Sequence, residues 1–240
     1  MIYKVIILAG GLGTRLSEET LIRPKPMVEI GGIPILLHIM RIFNSQIKCE
    51  FFIATGYKSE IIEKYLIGND FARENITATA VFTGDDTATG GRIKKIMDLF
   101  PGETFFMTYG DGVANVDISK LLSFHQNHLK LATVTAVRPV ARYGRLQISG
   151  GLVTEFAEKS QTQEGWINGG FFLLNPAITD FIDGEMEMFE REPMSRLTQA
   201  SELMAFEHTG FWQPMDTLRE KIELDHLATS INIPWMVRPK

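Results

Sequence analysis

An apolar, β-branched run, Val5-Ile6-Ile7-Leu8, stops at Ala9-Gly10-Gly11-Leu12-Gly13-Thr14-Arg15-Leu16, so three glycines lie where an opening strand leaves its sheet. Glycine accepts positive φ and leaves its N–H unobstructed, which suits a concave nest around phosphate oxygens. A tight turn that holds no ligand makes the same demand, and the loop alone leaves both readings open. Two familiar phosphate loops are excluded. The dinucleotide fingerprint needs a third glycine where Leu16 stands, and Pro24 and Pro26 would interrupt the long helix that should follow. The P-loop needs Lys-Ser/Thr after its last glycine, where this chain has Thr14-Arg15.

Beyond the loop, short β-branched or aromatic runs alternate with helical patterns. Strands are expected over Ile2–Ala9, Glu50–Thr55, Thr77–Phe82, Thr104–Tyr109 and Leu131–Val137, and helices over Pro34–Phe43, Ser59–Leu66, Gly91–Leu99 and Ile118–His128. With right-handed crossovers, such a βαβ series gives an α/β fold: a mostly parallel, Rossmann-like sheet with helices on both faces and ligands at the carboxyl ends of its strands. The second half reads differently. Gly144–Ile148 and Leu152–Phe156 flank Ser149-Gly150-Gly151, a hairpin signal, and Gly169–Leu174 predicts a further strand before helices near Pro193–Met204 and Thr217–Ala228. A smaller antiparallel portion is therefore expected on the sheet. The 240 residues contain no repeat and no linker rich in Pro or Ser, so a single domain over 1–240 is expected.

Composition narrows the partners. With 45% hydrophobic and 22% charged residues the chain can build a packed core, which argues against disorder. A net charge of −5 without a polybasic block gives no electrostatic support for nucleic-acid or membrane-surface binding. No apolar run approaches the roughly 20 residues of a membrane-spanning helix, and the opening run lacks a secretory cleavage pattern. The single cysteine, Cys49, fits a reducing compartment, so a cytoplasmic location is expected.

A small anionic ligand must then be held by a few placed cations. Lys25 sits between Pro24 and Pro26, only ten residues beyond Arg15, and a point charge paired with an arginine fork can clamp a polyphosphate. Asp111 follows an apolar run at an expected carboxyl edge, and Asp216 precedes a helical pattern. Two carboxylates from distant segments suit Mg²⁺, which takes one or two acidic ligands plus phosphate oxygens. Each also has a plainer role, as turn former or helix N-cap. The five histidines form no evident catalytic pair and read as core or surface residues.

Leu8-Ala9-Gly10-Gly11-Leu12-Gly13-Thr14-Arg15-Leu16 followed by Lys25-Pro26-Met27 resembles the signature of the sugar-1-phosphate nucleotidyltransferases. Thr89-Gly90-Gly91-Arg92, Thr108-Tyr109-Gly110-Asp111-Gly112-Val113, Ile167–Phe172 and Phe211–Thr217 are similar to the cytidylyl branch of that family, and the resemblance runs over nearly the whole chain. It implies transfer of a cytidylyl group from CTP to a sugar 1-phosphate, α-D-glucose 1-phosphate first among acceptors, with Mg²⁺ as cofactor. Residues 1–112 would mainly bind nucleotide through Leu8, Ala9, Gly10, Gly11, Gly13, Thr14, Arg15, Lys25, Thr89, Gly90, Arg92 and Asp111. Residues 113–240 would mainly bind sugar phosphate.

Asp111 and Asp216 would hold the metal, with Arg15, Lys25 and Lys159 as catalytic cations. Tyr109, Gly110, Arg142, Tyr143, Gly144, Glu158, Asn168, Gly169 and Gly170 would face the acceptor. The chain departs from the family in three places: it is shorter between Tyr65 and Thr83, Ser160 replaces the proline after Lys159, and Arg145 follows Gly144. The family's hexamer is accordingly not carried over, although a homo-oligomer is expected. The same transfer with UTP, dTTP or another phosphorylated acceptor is the alternative within enzymes. A non-catalytic nucleotide-binding module is disfavoured by the joint presence of Arg15, Lys25, Asp111, Lys159 and Asp216.

Overall fold

A computed structural model describes residues 1–139, 145–149, 151–157 and 165–236, and for Arg15, Ser17, 145–148 and 155–157 the description stops at the backbone. The first half runs β1 (Tyr3–Leu8), α1 (Ser17–Thr20), β2 (Glu29–Ile30), β3 (Ile33–Pro34), α2 (Ile35–Asn44), β4 (Cys49–Thr55), α3 (Ser59–Gly68), β5 (Thr77–Phe82), α4 (Thr89–Met97), β6 (Phe105–Tyr109) and β7 (Gly112–Ala114). The second half continues with α5 (Ile118–His128), β8 (Ala132–Val137), β9 (Arg145–Ser149), β10 (Leu152–Ala157), β11 (Ile167–Leu174), α6 (Glu192–Gln199), β12 (Leu203–His208), β13 (Trp212–Pro214) and α7 (Leu218–Ala228).

Seven strands form one sheet in the order β12-β8-β11-β6-β1-β4-β5, and only β11 runs antiparallel to its neighbours. The expected mixed, mostly parallel α/β architecture is what the chain adopts. Alternation of side chains along each strand explains why both faces need cover. Val5, Ile7, Phe51 and Ile53 pack into one core with Ile39 and Phe43 of α2 and Leu121 of α5. Ile6, Leu8, Phe52 and Phe105 pack into the other with Ile93 and Ile96 of α4 and Leu197 of α6. Each such buried Ile, Leu or Phe contributes about 1.5–3 kcal/mol.

The expected hairpin is present as β9 and β10, paired antiparallel apart from the main sheet, with Gly151 at φ +87° in its turn. One expectation fails. The helix near Pro193–Met204 ends at Gln199, Ser201 turns the chain at φ +57°, and Leu203–His208 becomes edge strand β12, parallel to β8. Leu, Met, Ala and Glu are good helix formers, so local preference pointed the wrong way, and pairing with β8 overrides it.

Three histidines lie within the packing, and their tautomers follow from their partners. The Trp235 indole, fully buried, donates to His38 Nδ1 at 3.2 Å, so His38 carries its proton on Nε2 and donates to Ile30 O at 2.9 Å. The backbone N–H of Lys130 donates to His128 Nδ1 at 2.9 Å, leaving His128 Nε2–H to donate to Thr133 Oγ1 at 2.7 Å. The Thr133 hydroxyl then donates to His125 Nδ1 at 2.8 Å. Burial, with His128 alongside, pushes His125 down to about 4.

A folded-state value below that of the unfolded chain means that the unfolded chain takes the proton first as pH falls. The stability His125 contributes is complete above about pH 6.5 and is lost on the way to pH 4, on the order of 2–3 kcal/mol in all. His125→Asn, which keeps an acceptor and removes the titration, is expected to flatten the pH dependence of urea unfolding between pH 7 and pH 4.5 relative to the parent chain.

Candidate active site

A cleft of about 770 Å³ opens where β1 and β6 end, with Asp85–Thr89 after β5 on one wall. Because β11 runs the other way, its first residues, Asn168–Gly170, form part of the rim. The glycine loop lines the cleft from Leu8 to Thr14. Gly13 holds φ +63°, and a Cβ there would come within 2.8 Å of Thr20 Cγ2 and 3.2 Å of Lys25 Cβ. Among the described residues, the backbone N–H groups of Gly10, Gly11, Leu12 and Gly13 donate to no backbone carbonyl. They form an open row of donors, as an anion nest requires.

Lys25 begins a short 3-10 turn, Lys25–Met27, set up by Pro24 at φ −66° and closed by Met27 N–H donating to Pro24 O at 2.8 Å. Its ammonium, almost wholly buried, donates to Asp111 Oδ2 and to Asp216 Oδ1, each at 2.6 Å. Burial alone would push the amine down, but the Asp111 and Asp216 carboxylates outweigh it and hold the group above its ordinary value. Lys25 is therefore charged at neutral pH and joins the two carboxylates.

The meeting of residues 111 and 216 is a matter of strand pairing. β7 and β13 pair antiparallel with Gly112 opposite Pro214, and Met215 N–H donates to Asp111 O at 2.8 Å. Asp111 just before one strand and Asp216 just after the other are thus neighbours. Gly110 makes the approach possible: its N–H donates to Leu8 O at 2.9 Å, and a Cβ there would strike Pro26 Cγ at 2.8 Å. The helix cap weighed for Asp216 belongs to Thr217, whose hydroxyl accepts from Glu220 N–H, while the Glu220 carboxylate accepts from the N–H of Asp216 and of Thr217. The Asp216 carboxylate faces Lys25 instead. Among the described residues no group of three or more His, Cys, Asp or Glu could by itself hold a metal ion.

Arg92, expected beside the nucleotide, lies on the cleft wall with its guanidinium turned into the protein. It donates to Thr55 O at 2.8 Å, Thr83 Oγ1 at 2.6 Å, Gly10 O at 3.1 Å and Asp85 O at 3.2 Å, tying the ends of β1, β4 and β5 together. A Cβ on Gly10 would sit 2.1 Å from Arg92 Nη1, so the second residue after β1 is glycine because the guanidinium passes there. Gly90 does not line the cleft; its N–H donates to Glu187 O at 3.0 Å, and a Cβ would meet that oxygen at 2.6 Å.

On the opposite rim the Tyr109 hydroxyl accepts from Asn168 Nδ2 at 3.1 Å, and Asn168 Oδ1 accepts from Gly170 N–H at 2.8 Å. Burial, and then the Glu190 carboxylate, hold the Tyr109 phenol well above its usual range. Gly169 O accepts from the Trp212 indole at 2.8 Å. Thr14, Thr89, Tyr109, Gly110, Asn168, Gly169 and Gly170 all line the cleft. The Arg15 backbone lies in a 3-10 turn, Thr14–Leu16, and its side chain is outside the description. Arg142, Tyr143, Gly144, Glu158 and Lys159 also lie outside the described residues.

Sequence reasoning missed Asp85, Asp86 and Thr87, Met188 and Trp212 on the cleft wall, and Glu190 behind it. The rule that ligands collect at carboxyl ends of parallel strands would have found residues 85–87, which follow β5. Met188 carries no comparable signal.

Known proteins resemble this chain over nearly its whole length. The family description "Nucleotidyl transferase" matches residues 4–217. Glucose-1-phosphate cytidylyltransferase of Salmonella typhi is 46% identical over 252 aligned positions, covering 97% of this chain and 98% of the relative. A Bacillus subtilis (strain 168) protein named probable glucose-1-phosphate cytidylyltransferase is 38% identical over 98% of this chain and 99% of its own length. Among solved structures, HddC from Yersinia pseudotuberculosis superposes with a TM-score of 0.73 at 26% identity, over 94% of this chain and 99% of that one.

The Arg92 brace has a measurable consequence. Arg92→Ala removes the one side chain that joins these four acceptors and is expected to cost about 3 kcal/mol in denaturant unfolding. Arg92→Lys should recover only part of this, since a point charge lacks the planar fork.

Proposed function

The chain belongs to the nucleotidyl transferase family, and from that premise we propose that it transfers a cytidylyl group from CTP to a sugar 1-phosphate, α-D-glucose 1-phosphate first, releasing CDP-sugar and pyrophosphate. The observation that carries this reading is the Lys25 ammonium held at 2.6 Å from both Asp111 and Asp216, at the lip of a glycine loop with open N–H donors. A phosphate oxygen of the acceptor attacks the α-phosphorus, the new P–O bond forms, and the bond to the β-phosphate oxygen breaks with its electron pair leaving on pyrophosphate. The acceptor phosphate has a second pKa near 6 and is mostly dianionic at neutral pH, so no side chain need remove a proton. Catalysis then amounts to bringing two anions together and stabilising charge on the transferring and departing phosphates.

The loop N–H groups and Arg15 would hold the β- and γ-phosphates. Lys25 would offset charge near the α-phosphate, and Lys159 would receive the acceptor phosphate. Asp111 and Asp216 would fit Mg²⁺: they come from separate segments, one ammonium spans both, and such an ion takes one or two carboxylates beside phosphate oxygens and water. Bound there, the ion would neutralise phosphate charge. The nucleotide half would be residues 1–112 and the acceptor half 113–240. A reducing, cytoplasmic setting is supported by the lone buried Cys49, whose thiol burial pushes up to about 12.

Pyrophosphate release measured with CTP, UTP, dTTP and GTP against glucose 1-phosphate is expected to favour CTP by at least about tenfold in kcat/KM, a difference of roughly 1.4 kcal/mol in transition-state binding. A preference for another nucleotide would overturn the cytidylyl assignment. Asp111→Asn and Lys25→Ala are each expected to lower kcat by about a hundredfold or more while the circular dichroism spectrum stays that of the parent chain.

A further inference from the structure

Two bonds fix the direction of one peptide group in the glycine loop. The Gly13 carbonyl accepts from Leu16 N–H at 3.0 Å and from the Thr20 hydroxyl at 3.1 Å. Thr20 is buried, and its hydroxyl also reaches Leu16 O at 3.0 Å, so one proton is shared between the two carbonyls that bracket the turn Thr14–Leu16. Thr20 is itself anchored. Just past β4, the Tyr57 hydroxyl donates to Thr20 O at 3.4 Å, and the Lys58 ammonium donates to Thr20 O at 3.3 Å and to Leu21 O. The loop after β1 is thereby tied to the end of β4 through a residue that does not line the cleft.

A trans peptide directs its C=O and its N–H to opposite sides, and no described peptide bond is cis. With the Gly13 carbonyl turned onto Thr20, the N–H of the same peptide, on Thr14, points the other way. Thr14 is exposed and lines the cleft, and among the described residues its N–H donates to no backbone carbonyl. The same rule acts three residues earlier, where Gly10 O accepts from Arg92 and the Gly11 N–H is turned away from the guanidinium. Gly11 too is exposed and lines the cleft. We propose that Thr20 is a positioning residue: its hydroxyl holds the Gly13–Thr14 peptide with the N–H turned into the cleft, where it meets the terminal phosphates of the nucleotide, while Thr20 itself touches no substrate. This role rests on the CTP reading above.

Thr20→Val replaces the hydroxyl with a methyl group of nearly the same size and frees the peptide to turn. The expected result is a rise of about tenfold in KM for CTP and about tenfold weaker binding of inorganic pyrophosphate in titration calorimetry with MgCl2, equal to one lost hydrogen bond, with KM for glucose 1-phosphate within about twofold of the parent chain. Thr20→Ser keeps the hydroxyl and should restore both nucleotide-side values to within about threefold. A role in packing alone would follow side-chain volume, and serine, the smaller residue, would then do worse than valine. If Thr20→Val does not fold, Thr20→Ala set against Thr20→Ser makes the same comparison.

Pyrophosphate binding by Thr20→Val equal to that of the parent chain, an equal rise in both Michaelis constants, or a loss in Thr20→Ser as large as in Thr20→Val would overturn the positioning role. The parent chain separates the two levels of inference. If it binds pyrophosphate but turns over CTP with no sugar phosphate, the proposed function fails and the calorimetric comparison still decides the role of Thr20. If it binds neither CTP nor pyrophosphate, both fail. If it is active and Thr20→Val matches it, only the role of Thr20 fails.

Discussion

One buried ammonium neutralises much of the charge that would otherwise push the site apart. Asp111 and Asp216 are separated by most of the second half of the chain, yet strand pairing sets them side by side, where two carboxylates repel unless a cation lies between them. Lys25 is that cation, and its flanking prolines leave it little freedom to be elsewhere. The consequence extends to the fold: the loop that follows β1 and the β7–β13 pair are drawn onto the same edge of the sheet. The Lys25-bridged carboxylates lie beside a row of N–H donors suited to anions, so carboxylate and amide groups meet at one site.

Arg92 performs a complementary task from beneath. All four of its acceptors are neutral, three carbonyls and a hydroxyl, so its positive charge is not cancelled by these contacts and lies under the loop it braces. Gly10 and Gly56 are both shaped by that guanidinium, since a Cβ on either would collide with it. Lys25 and Arg92 divide the work: one gathers distant acidic segments, and the other fixes the ends of three adjacent strands.

Much of this was legible in the sequence for local reasons. The glycine loop, the Pro-Lys-Pro turn and the strand-ending aspartate each state a backbone requirement within a few residues, and Thr77–Phe82 and Ile118–His128 form the expected elements with the expected bounds. What was not legible is non-local. β12 is a strand because β8 offers it an edge, against the preference of its own residues. The bracing role of Arg92 is hidden because nothing near it in sequence reveals that Thr55, Thr83 and Gly10 converge on it. Glu190 bears no motif, and only the Thr89 hydroxyl that reaches it ties it to the cleft wall.

Trp235 adds a constraint of another kind. Among the described residues it is the largest fully buried side chain, and it closes the core against Phe211 and His38, donating to a nitrogen that otherwise faces a dry interior. During synthesis α2 emerges almost two hundred residues before its indole partner. Until the segment around Trp235 clears the ribosome, the face around His38 is exposed, and the nascent chain must delay final packing or be shielded meanwhile.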